Sequence, residues 1–326
     1  MSKINQAQVI SWIQDELDRR HIPGAVLVLV RNDGIIFSKG FGQHDIDSFF
    51  PIASATKWIS ATLMLILVSE GKVGLDDPVV KYIPRFSGEK SHITIRQLLA
   101  CTSGLPLKVA WQSSSAITLE ECVARIARIR LEAPAGSQFI YGGVGFQVAG
   151  RIAEVVTGES WHRMFEERIA IPLNMLNTGY GKLDWKRKQL NTKKYSNTRI
   201  GGAMWTTPRD YASFLRMQLN DGVSGGQRLL NDYTVKEMRT NQIAHANYTK
   251  TAHADPNAVY GLGVWLERID ASGNAILMSC PGAFGFYPWI DFKRGYGGIF
   301  AVKYPYRKLA GWYTKMTESI AQALNN

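Results

Sequence analysis

The spacing of apolar residues changes along the chain, and the changes mark out its elements. Residues 5–20 read as a helix. Two β-rich stretches follow, at 24–30 and 35–40, separated by the turn signal Asn32-Asp33-Gly34. An unbroken apolar run from Trp58 to Val68 predicts a buried helix, which Gly71 is placed to end. From there to about residue 220, helical patterns at 94–101, 119–130, 145–157, 161–169 and 209–220 alternate with polar loops. β patterns return at 261–268, 275–280, 287–290 and 297–302, and a helix over about 309–324 ends the chain. Strands near both ends with helices between them predict an α/β (α+β) fold. In it, one antiparallel sheet is built from both chain ends, flanked by helices, and a mainly helical lobe is inserted. The expected division places residues 1–60 and 225–326 in the sheet lobe and 61–224 in the helical lobe, with an active site between them. There is no internal repeat.

The buried helix begins with Ser54-Ala-Thr-Lys57. Residues i and i+3 share a helix face, so the serine hydroxyl lies within reach of the lysine amine one turn on. The helix N-terminus offers unpaired N–H groups where an oxyanion develops. A lysine in an apolar site has its charged form disfavoured and accepts a proton. The same spacing occurs at Ser69–Lys72 and Ser87–Lys90, but a glycine interrupts both and neither leads into a buried helix. The alternative for Ser54 is an N-cap serine followed by a solvated lysine.

Composition is that of an ordinary soluble enzyme. At 326 residues, 45% hydrophobic with 30 glycines, the chain is long enough for a sizeable core and for two lobes. The apolar run at 58–68 is too short to cross a bilayer. The first twenty residues show no signal-peptide pattern. Cys101, Cys122 and Cys280 lack metal-ligand spacing, which suggests reduced thiols and a cytoplasmic location by default. A net charge of +11 raises the question of nucleic acid. The cluster Lys182, Lys186, Arg187, Lys188, Lys193 and Lys194 has no recognition motif or interleaved aromatics, so it reads as a solvated loop. His21, His44, His92, His162, His245 and His253 have no metal-site spacing. Gly222-Val-Ser224-Gly-Gly226 matches a nucleophile-elbow pattern but follows a helix end rather than a strand, so it reads as a turn.

Several stretches taken in order carry a resemblance. They are Ile22-Pro-Gly-Ala25, Ser54-Ala-Thr-Lys57, Gly74-Leu-Asp-Asp-Pro78, Ile95-Arg-Gln-Leu-Leu99 with Thr102-Ser-Gly-Leu105, Pro134-Ala-Gly136 with Phe139 and Tyr141, and Gly201-Gly-Ala-Met-Trp-Thr-Thr207 with Asp210. From about Ile22 to Tyr304 the chain resembles the serine hydrolases that include class C β-lactamases, D-alanyl-D-alanine carboxypeptidases and β-lactamase-like carboxylesterases. The resemblance implies Ser54 as nucleophile, Lys57 beside it, and a tyrosine in a Tyr-x-Asn loop roughly ninety residues on. Tyr195-Ser-Asn197 matches those letters but follows Lys193-Lys194. Tyr141-Gly142-Gly143 lacks the asparagine but follows Pro134-Ala-Gly136 and Phe139, as the family loop does, and is the expected element. Its phenol, near a positive Lys57, is expected to ionise below about 10 and to take the proton of Ser54.

The third family element corresponds to Cys280-Pro-Gly282-Ala283. By this resemblance the N–H groups of Ser54 and Ala283 form the oxyanion hole. Gly142, Gly143, Cys280, Pro281, Gly282, Phe284 and Tyr287 line the substrate pocket, with Phe286 and Trp289 as further aromatic neighbours. Relatives carry an asparagine where Gly143 stands and a cation where Cys280 stands. Both losses tilt the expectation toward a carboxylesterase for small uncharged esters, with no cofactor or metal. The alternatives are a β-lactamase or D-alanyl-D-alanine carboxypeptidase, and a catalytically silent binding protein on the same scaffold. The expected partner is a small ester or amide, with no nucleic acid and no membrane span; the oligomeric state is left open.

Overall fold

A computed structural model describes residues 6–184, 187, 189–191, 197–250 and 257–325. Its main sheet has seven strands: β1 (Gly24–Arg31), β2 (Gly34–Gly42), β3 (Val259–Tyr260), β4 (Trp265–Ile269), β5 (Ala275–Ser279), β6 (Phe286–Asp291) and β7 (Tyr296–Val302). All neighbours are antiparallel, in the order β3-β4-β5-β6-β7-β1-β2. The two chain ends meet where β1 pairs β7, with Leu27 opposite Phe300 and Val28 opposite Ile299.

β1 is an unbroken apolar run because both its faces are covered. Ala25, Leu27 and Leu29 face a core shared with the terminal helices α1 (Gln6–Arg19) and α9 (Tyr306–Asn325), where Trp12 stacks on Trp312 at 5.0 Å. Val26, Val28 and Val30 face a larger core, on the side of α2 (Thr56–Ser69). Every residue of α2 from Thr56 to Leu67 is buried, as expected for a helix apolar all round. Among the described residues, no helix is long and apolar enough to cross a membrane.

The stretch between the sheet halves holds α3 (Ile95–Leu99), α4 (Leu119–Ile126), α5 (Val144–Thr157), α6 (Trp161–Phe165), α7 (Pro208–Leu219) and α8 (Asp232–Met238). Capping boxes start α3 (Thr94 with Gln97) and α4 (Thr118 with Glu121). Helix α7, on the helical side of the expected boundary at 224, packs on β1 and β7. The pattern at 261–268 is not one strand. Gly263 takes φ +76, and an added Cβ would meet Ala61 and the Lys57 carbonyl, so the chain turns tightly against α2 between β3 and β4. Ser224 sits in a small hairpin (Val223–Ser224 with Gln227–Arg228) turned by positive-φ Gly225 and Gly226, with no elbow.

Candidate active site

Ser54 lies one step earlier than the sequence suggests, in a 3₁₀ turn, Ala53–Ala55, that feeds α2. Its hydroxyl caps neither element, which removes the N-cap reading. Ala53 holds a strained φ of +42. The turn is pinned by three contacts that bypass the serine side chain. Ile52 N donates to Met204 O (3.0 Å), Met204 N to Thr56 Oγ1 (3.3 Å), and the Tyr211 hydroxyl to Ala55 O (3.1 Å).

Lys57 is buried, 4% exposed. Its Nζ donates to Ser54 Oγ at 3.3 Å and to Gly201 O at 2.9 Å. Gly201 belongs to the glycine pair that precedes the short strand Met204–Thr206, which pairs antiparallel with Phe50–Pro51. The amine also lies 4.8 Å from the Tyr141 ring centroid and 5.7 Å from that of Phe146. Burial lowers the lysine pKa, and the positive charge of Arg199 lowers it further. Arg199 is exposed, with its guanidinium folded over Gly202. No motif in the sequence marks Arg199.

Tyr141 follows the strand Gln138–Ile140 and is half-buried among aromatic rings, 5.2 Å from Trp265 and 5.8 Å from Tyr260 between centroids. Its hydroxyl faces Ser54 closely enough to interact with it. The expected depression of its pKa is overturned. Burial pushes the phenol well above its ordinary value, and the interactions with Ser54 and Trp265 offset this only in part. The lysine expected to favour a phenolate has its own charged form disfavoured. Tyr195 lies outside the described residues, as do Lys186, Lys188, Lys193 and Lys194. Asn197, last of that Tyr-Ser-Asn, is a buried clamp. Its Nδ2 donates to Trp111 O and Ser114 O, both at 3.2 Å, and its Oδ1 accepts from Gln147 Nε2 at 3.1 Å.

The 280–283 stretch does approach the nucleophile. An added Cβ on Gly282 would lie 2.2 Å from Ile52 O, so only glycine fits there. Cys280 Sγ donates to Ser54 O at 3.3 Å, and burial pushes its thiol pKa up to about 12, which makes it a prop for the turn rather than a nucleophile. Pro281 is buried, and Ala283 and Phe284 are exposed on the loop before β6. Among the described residues, the N–H groups of Ser54 and Ala283 donate to no protein acceptor. Gly142 and Gly143 are held against Leu107, whose carbonyl accepts from Gly143 N at 3.2 Å.

Tyr287 is a correction. Alternation along β6 puts Phe286 in the core on the α2 side and Tyr287 in the core on the α1–α9 side. There Tyr287 stacks on Tyr313 at 4.4 Å and donates to Glu267 at 2.8 Å, so it lines no pocket at Ser54. Trp289 lies on the same far side. A cavity of about 660 Å³ lined by His44, Asp47, Asn177, Leu183 and Lys303 contains none of the candidate residues. Among the described residues, no group of His, Cys, Asp and Glu is placed to hold a metal ion.

The sequence model of the Beta-lactamase family matches residues 9–314. The chain belongs to the Beta-lactamase family. Its structure superposes on a candidate beta-lactamase from Bacteroides dorei DSM 17855 with a TM-score of 0.86, at 31% identity, covering 99% of this chain and 100% of that one. A family VIII carboxylesterase superposes with a TM-score of 0.75 at 18% identity, covering 98% of this chain and 97% of that one, a likeness of fold alone. Protein flp of Staphylococcus aureus (strain MW2) is 30% identical over 232 residues, 64% of this chain and 46% of flp. The chain thus spans about half the length of these curated relatives. The Beta-lactamase fold is shared by hydrolases of more than one substrate class, esterases among them.

The direction of the Lys57 shift sets a pH dependence. Only a neutral amine accepts a proton, so with Lys57 as the base kcat/KM is expected to rise with pH through the lowered lysine pKa and then level. Removing the Arg199 charge raises that pKa, so Arg199→Ala is expected to move the acid limb to higher pH. A pH–rate profile with its midpoint at or above 10.5, or moved to lower pH in the variant, contradicts this assignment. The same shift makes the unfolded chain bind more protons between the folded pKa and 10.5, so Lys57 contributes stability that rises with pH across that window and is lost below it.

Proposed function

We propose that this protein is a serine hydrolase working through an acyl-enzyme, and that its substrates are small uncharged esters. The observation that supports this most is the convergence on Ser54 Oγ of Lys57 Nζ and the Tyr141 hydroxyl, with the lysine held toward its neutral form. Ser54 Oγ bonds to the ester carbonyl carbon as its proton passes to Lys57, directly or through the Tyr141 hydroxyl. The oxyanion takes the free N–H groups of Ser54 and Ala283. Collapse breaks the bond to the leaving alkoxide, which takes the proton from Lys57. Water then adds to the acyl-enzyme by the same proton route and frees Ser54. Because burial keeps the phenol protonated, Lys57 is the base and Tyr141 the relay. The active site sits between the sheet lobe, which α7 joins by packing on β1 and β7, and the helical stretch that precedes α7, and the three buried free thiols fit a cytoplasmic setting.

The uncharged substrate follows from Gly143, which carries no amide, and from Cys280, whose thiol turns to the Ser54 carbonyl instead of offering a cation. One observation favours a second reading, a β-lactamase or D-alanyl-D-alanine peptidase: the exposed guanidinium of Arg199 near Lys57 could meet a substrate carboxylate. A missing charge-assisted contact is worth about 1.5–3 kcal/mol, roughly ten- to a hundredfold. The kcat/KM for p-nitrophenyl butyrate is therefore expected to exceed that for nitrocefin by at least about tenfold. Equal or faster nitrocefin hydrolysis excludes the esterase reading and favours the second.

A further inference from the structure

Ser60 stands one turn after Lys57 on the same face of α2. The two side chains meet consecutive carbonyls of one distant segment. Lys57 Nζ donates to Gly201 O at 2.9 Å, and Ser60 Oγ donates to Ile200 O at 2.7 Å. Ile200 is held at both ends. Its N–H donates to Gln147 Oε1 of α5 at 2.7 Å, and its carbonyl also accepts from the Tyr180 hydroxyl at 3.2 Å. Tyr180, on the short strand Gly179–Tyr180, lies 3.2 Å from Ser60 Oγ and accepts from Trp161 Nε1 of α6 at 3.0 Å. Ser60, Gln147, Trp161, Tyr180 and Ile200 are each at most 3% exposed, so these bonds act where the low dielectric makes them strong. Packing closes on the same turn. A Cβ on Gly150 would lie 2.0 Å from the Ile200 side chain, and one on Gly201 would lie 3.3 Å from Phe146. The last link of this network is the carbonyl that holds the Lys57 amine. A neutral amine has two N–H groups and one lone pair. With one N–H spent on Gly201 O, the lone pair is free to face Ser54 Oγ, 3.3 Å away. After the proton arrives, the same carbonyl favours the ammonium.

We propose that Ser60 is a positioning residue for the hydrolysis: by holding the Ile200 carbonyl it sets the Gly201 carbonyl, and through it the place of the Lys57 amine relative to Ser54. Tyr180 is the second support of the same carbonyl. This rests on the serine-hydrolase reading of Ser54. Cys101, Cys280, Arg199 and the Tyr141 ring also face the amine, and a change at Ser60 removes none of them.

The test is the pH profile of kcat/KM for p-nitrophenyl butyrate. Arg199 shares the turn with Gly201, its backbone carbonyl accepting from Gly202 N at 3.0 Å, so the comparison is made in Arg199→Ala, where its charge does not contribute. Adding Ser60→Ala is expected to lower the plateau about five- to tenfold, as a misplaced proton acceptor does. It is also expected to move the acid limb to lower pH, because the amine loses an acceptor that favours its charged form. Tyr180→Phe, added to Arg199→Ala instead, removes the longer bond to Ile200 O and should shift both quantities the same way by less. It keeps the proposal testable if Ser60→Ala folds poorly. A lower plateau with the limb in place marks a merely structural role and overturns the proposal, as does an unchanged profile or a limb moved to higher pH. Absence of Ser54-dependent turnover in the wild-type protein overturns the hydrolase reading and this proposal with it.

Discussion

Replacing Ser54 with alanine is expected to abolish hydrolysis of p-nitrophenyl acetate and butyrate while leaving the fold intact. Loss of a nucleophile from such a constellation costs on the order of 10⁶-fold in kcat. The fold survives because the turn carrying Ser54 is held by Ile52, Thr56 and the Tyr211 hydroxyl, and the serine hydroxyl caps no helix. Lys57 keeps its bond to Gly201 O after the hydroxyl is gone. Ser224→Ala, in a surface hairpin, is the matched control and should leave turnover nearly unchanged. Turnover and melting temperature, measured together, check both halves. Near-wild-type turnover in Ser54→Ala contradicts the mechanism.

Tyr141→Phe is the second large effect. The ring remains, so its packing against Tyr260 and Trp265 and its place under the Lys57 amine persist, and only the oxygen that faces Ser54 is lost. A group in the proton path contributes about 10²–10⁴-fold, so kcat should fall by that much with little change in melting temperature. Tyr195→Phe should change turnover less than about threefold. Asn197 beside it spends its amide on backbone carbonyls and on Gln147. If Tyr195 proves essential and Tyr141 dispensable, the proton path has to be rebuilt around residues 195–197.

The frame of this site was legible because local patterns carry it. An apolar run with no polar face forces α2 into the core, and Ser-x-x-Lys at its start fixes which serine meets which amine. The run at 24–30 reads as β-rich, and β1 (Gly24–Arg31) forms there. What stayed hidden depends on the third dimension. The Tyr141 shift has the opposite sign to the expected one because burial beside the rings of Tyr260 and Trp265 disfavours the phenolate, and no spacing reports that burial. The Arg199 guanidinium comes near Lys57 from a segment that no motif marks. Tyr287 is a different case. Its neighbour Phe286 faces the α2 side, and the two-residue period of a strand already sends 287 the other way.

The central claim is that Ser54 is a nucleophile activated within this fold, as opposed to a serine on a silent binding scaffold. The most direct measurement is labelling of the intact protein with a fluorophosphonate, with the modified residue located by mass spectrometry. The account predicts one label per chain on Ser54, with parallel loss of esterase activity and no label in Ser54→Ala. An unlabelled protein, or a label on Ser224 or another serine, contradicts it.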